Sequence, residues 1–183
     1  MSTKTTIKRI ALVAVAALGF GVMSVAPSSA TVISDSITLS ASTTTITTGS
    51  TASVTLTTAG YFGATSDSIT SIASLTTYPA AATATQIGAA ITTIAFSAID
   101  TATAYTGGSA GGSNQDAGAA TVVVGLAGNT PKLVSTRTKL SVAPTLVGTY
   151  TYTIKPTVAA GGAVSATAVT WTVIAEQSCW FLV

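Results

Sequence analysis

Between Leu140 and Lys155 the chain reads Leu-Ser-Val-Ala-Pro-Thr-Leu-Val-Gly-Thr-Tyr-Thr-Tyr-Thr-Ile-Lys, and this stretch restricts the fold more than any other. Tyr150, Tyr152 and Ile154 alternate with Thr149, Thr151 and Thr153. A period of two gives a strand one apolar face and one hydroxyl-bearing face, and both Tyr and Thr suit a pleated surface. A second apolar alternation ends at Val142, and Pro144-Thr145-Leu146-Val147-Gly148 turns the chain between the two. Two half-buried strands joined by a corner demand a covered sheet, so the predicted class is all-β.

The rest of the chain extends that pattern. Ile33–Ser40 and Thr43–Thr47 read as two short pieces of strand, and Thr48-Gly49-Ser50 as a turn into Ala52–Thr58, with Val54 and Leu56 inward. Gly60–Ser66 reads as a loop carrying Tyr61 and Phe62, and Asp67–Thr77 as a strand that stops before Pro79. Ile87, Ile91, Ile94 and Ala98 fall at helical spacing, but the alternation of Thr92, Ile94 and Phe96 favours a strand over Ile91–Ala98. Tyr105–Gly118 is a Gly- and Ser-rich surface loop. Val122-Val123-Val124 marks a strand over Ala119–Leu126 with little polar relief, expected to be buried on both faces. Lys132–Val142 leads into the corner, and Val164–Ala175 is the last strand, with Val169, Trp171 and Val173 on one side. About eight or nine strands with turn signals every 8–12 residues is the pattern of a Greek-key sandwich. The expected core is Val54, Leu56, Leu140, Val142, Tyr150, Tyr152, Ile154, Val169, Trp171 and Val173.

The chain opens on a leader. Lys4, Lys8 and Arg9 precede an apolar stretch over Ile10–Val25, and Pro27-Ser28-Ser29-Ala30 follows with small residues at Ser28 and Ala30, the two positions a signal peptidase reads. The predicted organisation is a signal peptide over 1–30, one β-sandwich domain over 31–175 and an atypical tail over 176–183. The tail gathers Cys179, Trp180 and Phe181 after a chain that uses such residues sparingly. No second apolar run of spanning length follows, so the mature chain is expected to be secreted, without a membrane span. Charged residues are 7% of the chain, against about 25% in an average domain. Cleavage after Ala30 leaves four cations against five acids, a net charge of −1. Arg137 and Lys139 share one strand face, but no clustered basic surface exists to displace counterions, which argues against a nucleic-acid partner.

Little in the chain points to catalysis. His is absent, which removes the usual partner of a Ser or Cys nucleophile and the commonest metal ligand. Cys179 is the single Cys, so no thiolate metal site can form. No two of the five acids outside the leader fall within three residues of each other. A distant pair such as Asp67 with Asp116 is the one carboxylate dyad worth naming, and ordinary turn acids explain both more simply. Gly107-Gly108-Ser109-Ala110-Gly111-Gly112 lacks the Lys and the following helix of a phosphate-cradling loop. No catalytic residue, cofactor or metal site is therefore expected. Two non-catalytic roles remain. Threonine-rich, weakly charged strands make poorly guarded edges, which suits self-association. Aromatic residues expected on loops, Tyr61, Phe62 and Tyr105 together with Tyr78, suit a glycan or other ligand. Thr-x-Thr runs such as Thr149–Thr153 have no fixed repeat period, so no flat threonine array is expected.

The corner resembles the E–F turn of immunoglobulin-like sandwiches, in which a Tyr after a Gly-x step folds back onto the corner backbone. Tyr150 stands at that position, and Tyr152 stands where antibody domains carry a Cys, so the inter-sheet disulfide is absent. The Thr44–Thr58 strand pair resembles the split first strand and the B strand of the same sandwiches. With the leader, the chain resembles bacterial secreted Ser/Thr/Ala-rich proteins with Ig-like modules. The resemblance implies an Ig-like Greek-key sandwich and a structural or adhesive role at the cell surface. The partners expected from the strand edges and the loop aromatics are the chain itself or cell-surface glycans. No Pro-x-Thr-Gly sorting core or cell-wall-binding repeat accompanies it.

Overall fold

The structure is a computed structural model that describes residues 32–100, 119–125, 130, 132–159 and 166–178. Nine strands and one helix follow in chain order among the described residues. They are β1 (Ile33–Leu39), β2 (Thr43–Thr47), β3 (Ala52–Phe62), β4 (Ser68–Thr77), α1 (Ala84–Thr92), β5 (Ala95–Ala98), β6 (Ala119–Gly125), β7 (Lys132–Val142), β8 (Gly148–Ala159) and β9 (Val169–Glu176). The strands form a four-stranded sheet, β1-β3-β7-β5, and a five-stranded sheet, β2-β9-β8-β4-β6. The fold is all-β. Every strand pair is antiparallel except β2 with β9.

The period-two patterns set which faces are covered. Along β3 the buried positions are Ala52, Val54, Leu56, Thr58, Gly60 and Phe62, and along β7 they are Val134, Thr136, Thr138, Leu140 and Val142. Tyr150, Tyr152 and Ile154 of β8 and Trp171 and Val173 of β9 are fully buried, and one hydrophobic cluster joins them to residues of the four-stranded sheet. Nine of the ten residues expected in the core are buried, and Val169 packs against the cluster half-buried. Trp171 and Tyr152, register partners across β8 and β9, stack with ring centroids 5.8 Å apart. A smaller cluster of Val32, Phe62, Ile69, Val124 and Val134 fills the other end. By register, Thr58 and Thr136 stand opposite each other at the boundary between the clusters, as does Ser71 on β4, and all three hydroxyls are buried with no hydrogen-bond partner among the described residues.

Three local expectations are corrected. Ile91 and Thr92 end a helix, and the strand begins only at Ala95. Thr83-Ala84-Thr85-Gln86 is a capping box, in which the Gln86 N–H donates to Thr83 Oγ1 (3.4 Å) and the Thr83 N–H donates to Gln86 Oε1 (2.9 Å). Satisfying orphan donors at both residues starts the helix, and the alanines that follow propagate it against the β-branched threonines at its end. The helix places Ala90 in the core, where the Tyr152 hydroxyl donates to its carbonyl (3.5 Å). Next, β3 continues through Tyr61 and Phe62, which therefore lie on a strand and on opposite faces. Finally, β6 is a sheet edge with Ala120, Val122 and Val124 buried while Thr121 and Val123 are half-exposed, so one face of it is covered and not both.

The corner is held as its sequence suggested. The Tyr150 hydroxyl donates to the Leu146 carbonyl across the turn (2.9 Å). Burial holds the Tyr150 phenol above its ordinary pKa, although the Leu146 bond pulls the other way. Tyr152 is pushed well above the usual range, mostly by burial and further by the proximity of Tyr150.

Candidate functional surfaces

Side chains of residues paired across neighbouring strands share a face, so register maps the surface. On the outer face of the four-stranded sheet Ile33 pairs with Tyr61, and Tyr61 pairs with Leu133. These three side chains are 54%, 40% and 71% exposed. They form an apolar row across β1, β3 and β7. Next to it runs a row of small residues, Ser36, Ala59 and Ser135, and beyond that Thr38, Thr57 and Arg137. Arg137 Nη2 meets Asp100 Oδ1 at 2.8 Å, and the Arg137 N–H donates to Asp100 Oδ2 at 2.9 Å. The hydrogen bonds from the Arg137 side chain, then its backbone, hold the Asp100 carboxyl below its usual range. This pair fastens the chain after β5 to β7 and leaves Lys139 as the outward charge beside it, opposite Ser97.

Of the aromatic residues expected to meet a ligand, Tyr61 and Tyr78 are both described and exposed. Phe62 is corrected: it is fully buried in the smaller cluster, because strand alternation turns it away from Tyr61. Tyr78 is exposed just beyond β4. Tyr105, and the cleavage-site residues Ser28 and Ala30, lie outside the described residues, as does Asp116. Ile33 and Leu133 carried no signal in the sequence, because an exposed apolar strand residue reads as core until the register is known.

The buried acids fasten loops. Asp67 Oδ2 accepts from the N–H groups of Gly63 (2.7 Å) and Ala64 (3.0 Å), closing the turn between β3 and β4. Asp35 Oδ2 accepts from the Ala166 N–H (2.9 Å) at the entry to β9. Among the described residues no group of three or more His, Cys, Asp or Glu is placed to hold a metal ion. No helix among them is long and apolar enough to cross a membrane.

The outer face of the five-stranded sheet is rich in threonine. Thr43, Thr172 and Thr151 stand in one row, and Thr170, Thr153 and Ser74 in the next. Thr76 Oγ1 donates to the Thr151 carbonyl (3.0 Å) and lies 3.1 Å from Thr153 Oγ1. The rows come from four strands distant in sequence, so no repeat announces them, and sheet twist of about 20–25° per strand keeps them from being flat.

Each sheet has two edges, and they are guarded unequally. A bulge between Ile33 and Ser36, with Ser34 at φ 56, interrupts β1. β5 is four residues long. Bulges and short edge strands both discourage a second chain. β2 carries no charge, proline or bulge over its five residues, and Thr43, Thr45 and Thr47 are exposed. No protein-family model and no curated protein matches the chain.

Proposed function

We propose that the chain is an exported, non-catalytic structural or adhesive protein of a bacterial cell surface, built as one Ig-like Greek-key sandwich behind a signal peptide and associating through strand edges. The strand orders β1-β3-β7-β5 and β2-β9-β8-β4-β6 support the Ig-like reading. Their spatial order resembles the A-B-E-D sheet of such sandwiches and a G-F-C-C′ sheet extended by the second half of a split first strand, with one departure: β5, in the D place, precedes β6, in the C′ place, along the chain. The Tyr150–Leu146 bond supports it at the E–F corner. One observation carries the functional part: β2 is an exposed, uncharged edge with no device that keeps another strand away. The test is to produce the chain with its leader in a bacterial host, fractionate the cells and weigh the processed protein by light scattering over a concentration series. Surface recovery with concentration-dependent mass is expected. A chain that stays unprocessed inside the cell would remove the reading.

The apolar row Ile33–Tyr61–Leu133 favours a second reading, a carbohydrate-binding face in which sugar C–H groups lie on Tyr61 and the Ser36 and Ser135 hydroxyls flank them. Saturable binding to a glycan array, lost in Tyr61→Ala with the fold retained, is its expected signature. Binding that survives Tyr61→Ala would exclude this face.

A further inference from the structure

We infer that β2 pairs antiparallel with the β2 of a second copy, on a two-fold axis at Thr45, joining the two five-stranded sheets into one; this rests on the strand-edge part of the proposed function. The phase of the β2 backbone leads to that register. The Thr172 N–H donates to the Ser42 carbonyl (2.8 Å), and the Thr48 N–H donates to the Glu176 carbonyl (2.8 Å). Successive backbone groups point to opposite sides of a strand, so Ser42, Thr44, Ile46 and Thr48 face β9. Thr43, Thr45 and Thr47 turn their N–H and C=O groups away from it. The Thr47 carbonyl already accepts from the Ser50 N–H (3.0 Å), and a carbonyl oxygen can accept a second bond.

Outward backbone at odd positions alone limits how two copies of β2 can meet. An antiparallel pair exchanges both hydrogen bonds only between residues that both face the seam. Pairing Thr45 with Thr45 sets Thr43 opposite Thr47 at each end, and no other register within β2 uses all three threonines. Side chains opposite one another then share a face, which sets Ile46 beside the partner's Thr44. Ile46 is half-buried against the core, so the partner strand extends its cover. No charge on β2 opposes the approach of an identical strand. The alternative acceptor, β6, is also uncharged, but its outward positions Thr121 and Val123 are only half-exposed.

A disulfide reads the register. In a Cys179→Ser background, which removes the single native thiol, Thr45→Cys is placed on the axis. Paired residues in such a ladder have Cα atoms about 5.5 Å apart, within the range a disulfide spans. The full processed chain carrying Thr45→Cys is expected to form a covalent dimer under mild oxidation, whereas Thr43→Cys, which faces Thr47, stays uncrosslinked. Thr45→Pro removes an N–H that faces away from β9. It is expected to weaken the dimer on the order of tenfold or more in sedimentation equilibrium, with the melting temperature of the monomer nearly kept. A monomer at every concentration, cross-linking of Thr43→Cys as readily as Thr45→Cys, or capture of Thr45→Cys by Val123→Cys instead would each overturn the pairing. Cell fractionation of the chain with Thr45 intact separates the two failures. Retention at the surface without pairing removes this inference alone, and a chain never exported removes the proposed function with it.

Discussion

Adding one methyl group at Gly148 should damage this protein as much as removing a large side chain from its core. Gly148 begins β8 with φ +140, and a Cβ there would fall 2.4 Å from Pro79 Cγ and 3.0 Å from Pro79 Cβ. Two costs follow. Holding an L-residue in that sparsely populated backbone region costs about 1–3 kcal/mol. Pushing against a proline ring, which cannot swing aside as a long side chain would, costs about 1–3 kcal/mol more. Gly148→Ala is therefore expected to lose about 2–6 kcal/mol, which for a chain of this size lowers the melting temperature by roughly 5–20 °C. Gly49 supplies the comparison: it also has positive φ, at +82, but a Cβ there meets nothing within 4 Å. Gly49→Ala should cost only the backbone part, about 1–2 kcal/mol. Urea unfolding followed by circular dichroism gives both values, and Pro79→Ala in the Gly148→Ala background separates the two costs. That double variant should recover most of the steric part, since alanine keeps only the Cβ at 3.0 Å, and keep the backbone part. Gly148→Ala within about 0.5 kcal/mol of the parent would refute the reasoning, since ordinary surface changes stay inside that margin.

Trp171→Ala removes a fully buried ring stacked on Tyr152 and the bond from its Nε1 to Thr44 Oγ1 (3.0 Å), and should cost about 3–5 kcal/mol in the same assay. Tyr150→Phe keeps the ring and deletes the bond to Leu146, so a loss of about 1 kcal/mol with an unchanged circular dichroism spectrum is expected. Thr136→Val replaces a buried hydroxyl with no partner among the described residues by a methyl group of similar size, and should raise the urea midpoint by the equivalent of about 1 kcal/mol. The Tyr152 phenol holds its proton to higher pH folded than unfolded, so the unfolded state releases it first. Stability should therefore be level below about pH 10 and fall above it by up to about 1.4 kcal/mol per pH unit for that group, a slope that Tyr152→Phe reduces.

The strands were readable wherever one face is buried and the other solvated, because alternation then leaves a plain record. Tyr150, Tyr152 and Ile154 on β8, and Trp171 and Val173 on β9, fall inward as their spacing requires. The misread positions share a cause. Around Thr92 and Ile94 a periodicity of two competed with one of 3.6, and the capping box at Thr83 and Gln86, eight residues before the disputed segment, decided between them. Val122-Val123-Val124 looked buried throughout because apolar identity says nothing of whether a strand is central or at an edge. The surface was harder still. Tyr61 and Phe62 are neighbours in sequence with opposite fates, and only the unbroken pairing of β3 with β7 shows which one faces water. The apolar row and the threonine rows each join strands far apart in the chain, so neither has a local signature.

What unites these surfaces is the scarcity of charge. With charged groups at 7% of the chain, hydroxyls and not ions carry most of the polar exterior. Threonine on an outward strand face satisfies water and pleated geometry together, but it supplies none of the long-range repulsion that keeps like molecules apart. A protein built this way must rely on edge geometry to control association. β1 with its bulge and β5 with its four residues do so, and the Asp100–Arg137 pair adds a clasp beside β5. Those devices sit on one sheet. The five-stranded sheet has none at β2, where Thr45 turns its backbone outward, and its other edge, β6, is uncharged as well, while the same chain blunts both edges of the four-stranded sheet. An uncharged edge with exposed threonines at β2, set against the blunted edges of the other sheet, is the physical ground for the pairing proposed at β2.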